Sequence, residues 1–273
     1  LISNIARDAA SARKYYHFIR LMGRSASHIT LEAALQTHPN IAIISEEILA
    51  KKQTFQEIIS DIARVIIMRA DAGKNYGVVL VPEGLIEFVP EMRILIGELN
   101  EIMAVHKDYF ASLSGFTSKV EYLTHKLSKD AGYTFSQLPI DIQRQLIMDR
   151  DPHGNVQVSR VETEKLLIEL LEIMLGEMKA EGKYKGKFGW QSHFLGYEGR
   201  CAAPTNYDAD YAYSLGRTTV PLVAQKKTGY MAVIRNTCRP HEQWQALGVP
   251  LATMIHLEKR GDKHKAVIRK TLV

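Results

Sequence analysis

The sequence predicts an α/β protein whose parallel sheet is covered by helices on both faces, a three-layer, Rossmann-like arrangement. Three apolar runs rich in branched or aromatic residues have the length of buried strands, at 15–21, 41–44 and 76–81. Segments with apolar residues at helical spacing separate these runs, as in repeated strand–helix–strand units. Such units make the strands parallel and bury both sheet faces, which explains why the runs are almost continuously apolar.

Composition limits the classes of function. Of the 273 residues, 46% are hydrophobic and 24% are charged, which is ordinary for a globular domain or a domain with a subdomain. The net charge of +5 comes without a run of about five like charges or a basic stripe interleaved with aromatics, so no nucleic-acid partner is predicted. No apolar run approaches the ~20 residues that span a bilayer. Two cysteines, Cys201 and Cys238, form no disulfide framework, so we expect a cytoplasmic protein that does not bind membranes.

Residues 1–90 form the first predicted part, which alternates helices and strands. A helical pattern at 2–13 precedes the first strand, and helical spacing returns at 25–32, with the hydroxyl residues Ser25 and Ser27 at the start, where N-caps are favoured. Apolar residues at helical spacing fill 55–69 before the third strand. Because parallel strands of one sheet end at the same edge, the residues after them should lie together. The three predicted strand tips at this edge are residues 22–24, 45–47 and 82–84.

The other two predicted parts differ in character. Residues 91–187 are mostly helical, with amphipathic segments near both ends, and predict a helical insertion or cap that finishes in an exposed linker. Residues 188–273 resume sheet character with a strand that enters a glycine-rich loop at 194–200. A helix at 208–215 and a strand at 229–234 follow, and this part is predicted to return to the first sheet.

The ends of the chain support a further expectation. The sequence begins with Leu1, inside a helical pattern, and stops soon after the strand-like residues 266–268. It therefore predicts a piece of a longer protein, with a complete domain that has trimmed ends as the alternative.

Arg24 is the first candidate for chemistry because it lies between a strand end and a helix start. Open α/β sheets bind ligands at such places, and a helix N-terminus favours anions through its free N–H groups and partial positive charge. The planar, permanently charged guanidinium suits phosphate, and Gly23 lets a ligand approach the backbone closely. For Arg24 taken alone, a surface arginine or a salt bridge that braces a loop is an equally weighted alternative.

Two more candidates follow the other strand ends. Glu83 is placed to accept hydrogen bonds from sugar hydroxyls, and its alternative role is a turn residue that bonds to nearby backbone. Arg200 beside Gly199 repeats the pattern of a cation at an open backbone. The alternatives here are a local ion pair between Glu198 and Arg200 and simple packing of Tyr197.

The remaining features favour structural interpretations. Lys14 and Tyr15 lie at the start of the first predicted strand, where a lysine is more often a solvated flank than a ligand. His17, His28 and His38 lack metal-ligand spacing, and no metal site is predicted in this chain. Neither a Gly-x-x-x-x-Gly-Lys loop nor a Gly-x-Ser-x-Gly elbow occurs. The sequence thus contains candidate binders of phosphate and hydroxyl groups without an evident base or nucleophile.

In their order and spacing, these residues resemble the fructose 6-phosphate site of pyrophosphate-dependent 6-phosphofructokinases of the long form, typical of plants and some bacteria and protists. The resemblance covers most of the chain and implies the phosphofructokinase fold, with this chain as the C-terminal portion. It extends through RLMGRSASHITLEAALQTHP at 20–39, APTNYDADYAYSLG at 203–216 and the final Val267, Ile268, Arg269 and Lys270.

The resemblance implies a role for each candidate residue at the strand ends. Met22, Gly23 and Arg24 resemble the family's sugar-phosphate contacts, with Arg24 as the cation that takes part in catalysis. Glu83 resembles the carboxylate that holds fructose hydroxyls. The family's second sugar-phosphate contact is matched by Tyr197, Glu198, Gly199 and Arg200.

Lys14 and Tyr15 resemble residues that reach into the neighbouring subunit's site, which implies a homodimer or a heteromer. The implied reaction is the reversible transfer of a phosphoryl group from pyrophosphate to fructose 6-phosphate in glycolysis, with Mg²⁺. The family's Gly-Gly-Asp motif for pyrophosphate and magnesium, and its Pro-Lys-Thr-Ile-Asp-Gly-Asp motif with the general base, do not occur here. Both are expected upstream, together with the Mg²⁺ ligands, so this chain alone should be inactive. The alternatives are a non-catalytic regulatory subunit, an ATP-dependent phosphofructokinase, and another sugar-phosphate enzyme.

Overall fold

The computed structural model describes residues 1–24, 26–150, 155–260 and 263–268. The predicted features at Ser25, Arg269 and Lys270 lie outside these residues. Contacts divide the chain into two compact units, the first of which includes Leu1–Arg200, while the second begins at Cys201. The three-part division at residues 90 and 187 stays a prediction.

A four-stranded parallel sheet forms the centre of the first unit. Its strands are β1 (Tyr16–Leu21), β2 (Ile41–Ala42), β3 (Gly77–Pro82) and β4 (Trp190–Leu195). They lie in the order β2–β3–β1–β4, so β1 pairs with both β3 and β4. All six residues of β1 and all six of β3 are buried, as expected for parallel strands covered on both faces.

Helices cover both faces of this sheet, which confirms the predicted three-layer α/β class. Alternate residues of β1 point to opposite faces, so Phe18 joins the larger apolar core and Ile19 joins the smaller one. The helices of this unit are α1 (Ile2–Ala12), α2 (His28–Thr37), α3 (Ser45–Lys51), α4 (Phe55–Asp71), α5 (Pro90–Val105), α6 (Lys107–Ser112), α7 (Phe116–Lys126), α8 (Lys129–Gln137), α9 (Ile140–Met148) and α10 (Thr163–Ala180).

Helix starts follow local rules in one case and tertiary demands in another. At the start of α4, Thr54 Oγ1 accepts a hydrogen bond from the Glu57 N–H at 3.3 Å, and Glu57 Oε2 accepts one from the Thr54 N–H at 2.8 Å. At the start of α2, Ser27 is the N-cap residue but makes no such bond. Its buried hydroxyl oxygen instead accepts from the Ser45 N–H at 3.0 Å, because that backbone donor is also buried and needs a partner.

Between α5 and α10 the described residues form helices, a short 3₁₀ turn at Val158–Arg160 and an isolated bridge. The predicted exposed linker at 179–187 is wrong in part, because α10 continues to Ala180 and Tyr184 is buried. Gly186 is buried as well, since a Cβ there would lie 2.6 Å from the Ala70 Cβ. The segment therefore packs against the end of α4.

The second unit contains one helix and two hairpins in the part that the structure describes. Its elements are α11 (Asn206–Ala224), β5 (Tyr230–Arg235), β6 (Gln245–Pro250), β7 (Ile255–Arg260) and β8 (Lys263–Ile268). A capping box between Thr205 and Asp208 starts α11 earlier than predicted. The predicted return of the 229–234 strand to the first sheet is not observed, because β5 pairs antiparallel with β6. Among the described residues, no helix combines the length and the apolar character needed to cross a membrane.

Candidate active site

The candidate residues after the strands gather at one edge of the sheet. Leu21, the last residue of β1, is in register with Pro82 of β3 and with Leu195 of β4. The chain segments that follow these three strands therefore start side by side. This register confirms the predicted common edge for residues 22–24 and 82–84, and the turn after β4 belongs to it as well.

The loop of Met22, Gly23 and Arg24, called here the 22–24 loop, is held to both neighbouring strands. The Met22 N–H donates to the Leu195 carbonyl at 3.1 Å. The Gly23 N–H donates to Glu83 Oε2 at 2.9 Å. Gly23 has a φ of +131°, a backbone conformation that side-chain-bearing residues rarely adopt, so glycine is required at this turn.

Glu83 makes the contact with nearby backbone that was its alternative predicted role. It is only 6% exposed, and Oε2 accepts the hydrogen bond from the Gly23 backbone. Oε1 makes no hydrogen bond to any residue that the structure describes. It is also not one of the side-chain atoms that are fully buried without a hydrogen-bond partner. One oxygen therefore supports the 22–24 loop while the other remains available to a hydroxyl group.

The turn after β3 also touches Arg24 directly. A Cβ at Gly84 would overlap the carbonyl oxygen of Arg24, so the two backbones are in contact and only glycine fits. Glu87, in the 3₁₀ turn Leu85–Glu87, accepts from Nη2 of Arg24 at 3.1 Å and from Nε at 3.4 Å. Both side chains are substantially exposed, at 43% and 30%, so this ion pair orients the guanidinium without enclosing it.

The turn of residues 197–200, called here the 197–200 turn, is held mainly by its own atoms. Glu198 Oε1 accepts from the Gly196 N–H at 3.0 Å, and the Arg200 guanidinium lies 5.3 Å from the ring centre of Tyr197. Tyr197 is 69% exposed, so it is not a core residue. The alternative ion pair between Glu198 and Arg200 is not found among the ion pairs of the described residues.

Lys14 and Tyr15 lie at the opposite edge of the sheet. They precede β1, whose six residues separate them from the 22–24 loop by roughly 20 Å. Lys14 is exposed and Tyr15 is 37% exposed. These two residues therefore cannot contact a ligand that is bound at the other edge of the same chain.

Glu46 and Glu47 occupy the first turn of α3. Glu46 Oε1 accepts from the Ser27 N–H at 3.0 Å and so links α3 to the start of α2. In the described part of the chain, no group of three or more His, Cys, Asp or Glu side chains is arranged to hold a metal ion.

A histidine pair joins the two strands that carry the loops. His17 Nδ1 of β1 lies 2.9 Å from His193 Nε2 of β4, and the rings stack. Burial lowers the pKa of both imidazoles, and the charge of His193 lowers that of His17 further, whereas Asp8 acts in the opposite direction. Sequence reasoning missed this pair because 176 residues separate its members.

Sequence reasoning also missed Glu87 and the partners of Arg20. Glu87 is the last residue of the short 3₁₀ segment Leu85–Glu87 and follows Glu83 closely in the sequence, and that proximity was the available signal. Arg20 stood out as a charged residue within an apolar run. Its partners lie near the start of α10, in a part of the chain that no local pattern connects to β1.

Comparison with known proteins shows which proteins the chain is similar to. No protein-family model matches it. Over all 273 residues it is 52% identical to pyrophosphate–fructose 6-phosphate 1-phosphotransferase from Porphyromonas gingivalis, of which it covers 50%. It is 50% identical over the same residues to subunit beta 1 of the protein of this name from Arabidopsis thaliana, of which it covers 47%.

A more distant match carries a different subunit name. Over 262 residues, or 96% of the chain, it is 40% identical to subunit alpha from Solanum tuberosum, of which it covers 41%. The chain spans about half the length of the curated relatives it matches. With identities of 52% and 50% along its whole length, the chain belongs to the family of the pyrophosphate–fructose 6-phosphate 1-phosphotransferases.

Proposed function

We propose that this chain supplies the fructose 6-phosphate half of an active site that transfers a phosphoryl group from pyrophosphate to the sugar's 1-hydroxyl. The product is fructose 1,6-bisphosphate, and the reaction is reversible and belongs to glycolysis. The observation that carries the proposal is the common edge at which Arg24, Glu83 and Arg200 follow three adjacent parallel strands. The names of the relatives support the donor and the acceptor.

Each residue has a chemical task in this proposal. Arg24 and Arg200 bind and neutralise phosphate oxygens, for which a planar guanidinium is well suited. We assign catalysis to Arg24, since phosphoryl transfer depends mainly on positioning and on stabilising charge. Glu83 accepts hydrogen bonds from fructose hydroxyls through its second carboxylate oxygen.

The backbone of the loops completes the proposed site. Met22 and Gly23 line the sugar-phosphate, and the positive φ of Gly23 lets the ligand approach closely. Tyr197, Glu198 and Gly199 present the second contact, from a turn whose side chains are exposed.

Lys14 and Tyr15 serve the site of a second subunit in this proposal. Their distance from the 22–24 loop of their own chain, together with their exposure, supports that assignment. We therefore propose a homodimer, or a heteromer such as the alpha and beta subunit names of plant relatives imply for those proteins.

The metal ion is proposed to be Mg²⁺, held outside this chain. Among the described residues, no cluster of three or more His, Cys, Asp or Glu side chains is arranged to hold a metal ion, and we derive no step through Mg²⁺. The donor site and the general base are likewise assigned to another part of the protein, and we expect no phosphoryl transfer by this chain alone. A cytoplasmic location is proposed as well, supported by the free, exposed Cys201 and Cys238.

Calorimetric titration with fructose 6-phosphate tests the proposal, with glucose 6-phosphate as the control ligand. We expect selective binding of fructose 6-phosphate by the full-length protein that contains this chain. Equal binding of both sugars would favour another sugar-phosphate enzyme. A full-length protein that phosphorylates fructose 6-phosphate with ATP but not with pyrophosphate would overturn the donor assignment.

A non-catalytic regulatory subunit is the alternative to the catalytic assignment, and the names of the most similar relatives do not favour it. Its test is the turnover of the full-length protein with pyrophosphate and Mg²⁺ in the absence of any other subunit. Turnover supports the catalytic assignment. Binding of fructose 6-phosphate without turnover, restored by adding a partner subunit, supports the regulatory one.

A further inference from the structure

Arg20 is a buried cation in the strand that leads to the 22–24 loop. It is the penultimate residue of β1 and is only 5% exposed. Nη1 donates to the carbonyl oxygens of Ser159 at 3.0 Å and Val161 at 3.2 Å. Nε lies 2.7 Å from Glu164 Oε2, an ion pair by distance whose angles are not those of a hydrogen bond.

These contacts join three elements at one point. Ser159 and Val161 lie just before α10, and Glu164 is in its first turn. On its other side, the guanidinium carbon of Arg20 lies 4.1 Å from the ring centre of Phe194, the penultimate residue of β4. Arg20 thus connects the ends of β1 and β4 to the start of α10. This helix is the last one of the helical segment, the run of helices from α5 to α10.

The two strands it connects carry both loops of the proposed site. One residue beyond Arg20 and Phe194, Leu21 and Leu195 are in register. Directly beyond them, the Met22 N–H donates to the Leu195 carbonyl. A displacement of either strand end would therefore move the 22–24 loop relative to the 197–200 turn.

Stability alone does not account for this buried pair. Burial raises the pKa of Glu164 despite the attraction of Arg20, so the ionised carboxylate is costly to bury. Replacing a buried ion pair by apolar residues of similar size is often neutral or stabilising. Nearby charges are already paired with one another, since Lys165 lies 2.7 Å from Glu162.

We propose that Arg20 is a positioning residue for the sugar-phosphate site, and that the helical segment holds it through Glu164 and two backbone carbonyls. This inference rests on the proposed function. It gives the helical segment a specific task, which is to fix the spacing of the two phosphate-binding loops.

The test uses the full-length protein and the double variant Arg20→Met/Glu164→Leu. We expect it to fold, because an apolar pair replaces a buried ion pair, with a Tm lowered only by the loss of the two Nη1 bonds to the Ser159 and Val161 carbonyls. The KM for fructose 6-phosphate should rise about tenfold or more, since small misplacements of binding groups are costly. The KM for pyrophosphate should change by less than about twofold, because the donor binds elsewhere.

A matched control removes an ion pair of the same residue types from the surface. Arg64 and Asp61 lie 2.9 Å apart on α4, and both are largely exposed. Arg64→Met/Asp61→Leu should leave both KM values unchanged.

Three outcomes decide the inference. A folded double variant with an unchanged KM for fructose 6-phosphate overturns it. If the double variant does not fold, Arg20→Lys decides, because lysine keeps the charge but cannot span the two carbonyls and Glu164 with a planar fork. An unchanged KM in that variant overturns the inference, and a raised one supports it. A wild-type protein that fails to bind fructose 6-phosphate overturns the proposed function itself, which separates the two failures.

Discussion

The 22–24 loop and the 197–200 turn each present an exposed arginine, but different contacts hold the two segments in place. The 22–24 loop bonds to β4 and to Glu83, and its backbone touches that of Gly84. The 197–200 turn is held by a bond within the turn and by the stacking of Arg200 on an exposed ring. In the proposed site, one phosphate contact is therefore preorganised by neighbouring strands, whereas the other depends on contacts within its own turn.

The largest expected effect comes from disturbing the contact between the backbones of Gly84 and Arg24, which supports only the 22–24 loop. In Gly84→Ala, the new methyl group overlaps the Arg24 carbonyl, so the free energy of unfolding should fall by ~3 kcal/mol and binding should be lost. Gly97→Ala is the control, because its Cβ meets open space on a helix and should stabilise by roughly 0.5–1 kcal/mol. Chemical denaturation measures both, and equal stability of the two variants would show that the contact is not tight.

The two arginines themselves give the next largest effect. Arg24→Ala should weaken fructose 6-phosphate binding by about 1.5–3 kcal/mol, the range of a charged hydrogen bond, with little change in Tm. Arg200→Ala should behave alike, since neither side chain is enclosed. Calorimetry and thermal melting on the same samples measure this. If Arg24 only braces its loop, Tm will fall while the affinity of the folded fraction stays constant.

Two glutamates contact the 22–24 loop, one through a buried hydrogen bond and the other through an exposed ion pair, so their variants compare the two kinds of contact. Glu83→Gln weakens a buried, charge-assisted bond to the Gly23 N–H and should lower the free energy of unfolding by about 1 kcal/mol. Glu87→Gln removes an exposed ion pair and should cost less than about 0.5 kcal/mol. Urea denaturation at low and high salt separates them, and a larger loss for Glu87→Gln would reverse the assignment of support.

The smallest expected effect concerns the strands beneath both loops. Burial lowers the folded-state pKa of His17 and His193, so the unfolded chain binds protons more readily than the folded one. The associated stability is complete above the unfolded pKa of about 6.5 and is lost as pH falls from there towards the lowered folded values. Urea midpoints from about pH 8 to about pH 5 should decline less in His17→Asn than in the wild type.

The exposed His28 gives the control for this pH dependence. His28→Asn should leave the decline of the wild type intact. Identical declines in all three proteins would show that the buried pair does not cause it.

Much of this architecture was predictable because local patterns decide it. The buried runs at β1 and β3 identify strands by their unbroken apolar character, and parallel pairing then brings Arg24 and Glu83 to one edge. To predict that the two residues are neighbours, only the order of the strands is needed. Strand–helix–strand units restrict that order strongly.

The contacts that hold the site were not predictable. Arg20 and Ser159 are 139 residues apart, and no periodicity links them. The Ser27 hydroxyl was expected to serve its own helix, but a buried N–H of another helix uses it instead. The separation of Lys14 and Tyr15 from the other candidates follows from the length of β1, which a list of motif residues does not express.

The shared duty of Glu83 has an evolutionary consequence. One carboxylate supports the 22–24 loop and, in the proposed site, also binds the sugar, so a substitution there would alter recognition and scaffold at once. Glu198 bonds to the Gly196 N–H and the Tyr197 ring carries the Arg200 guanidinium, so their structural contacts stay local to their own turn. Under selection for a different sugar phosphate, we expect the first tolerated substitutions in the 197–200 turn, whereas Gly23 and Glu83 should remain unchanged.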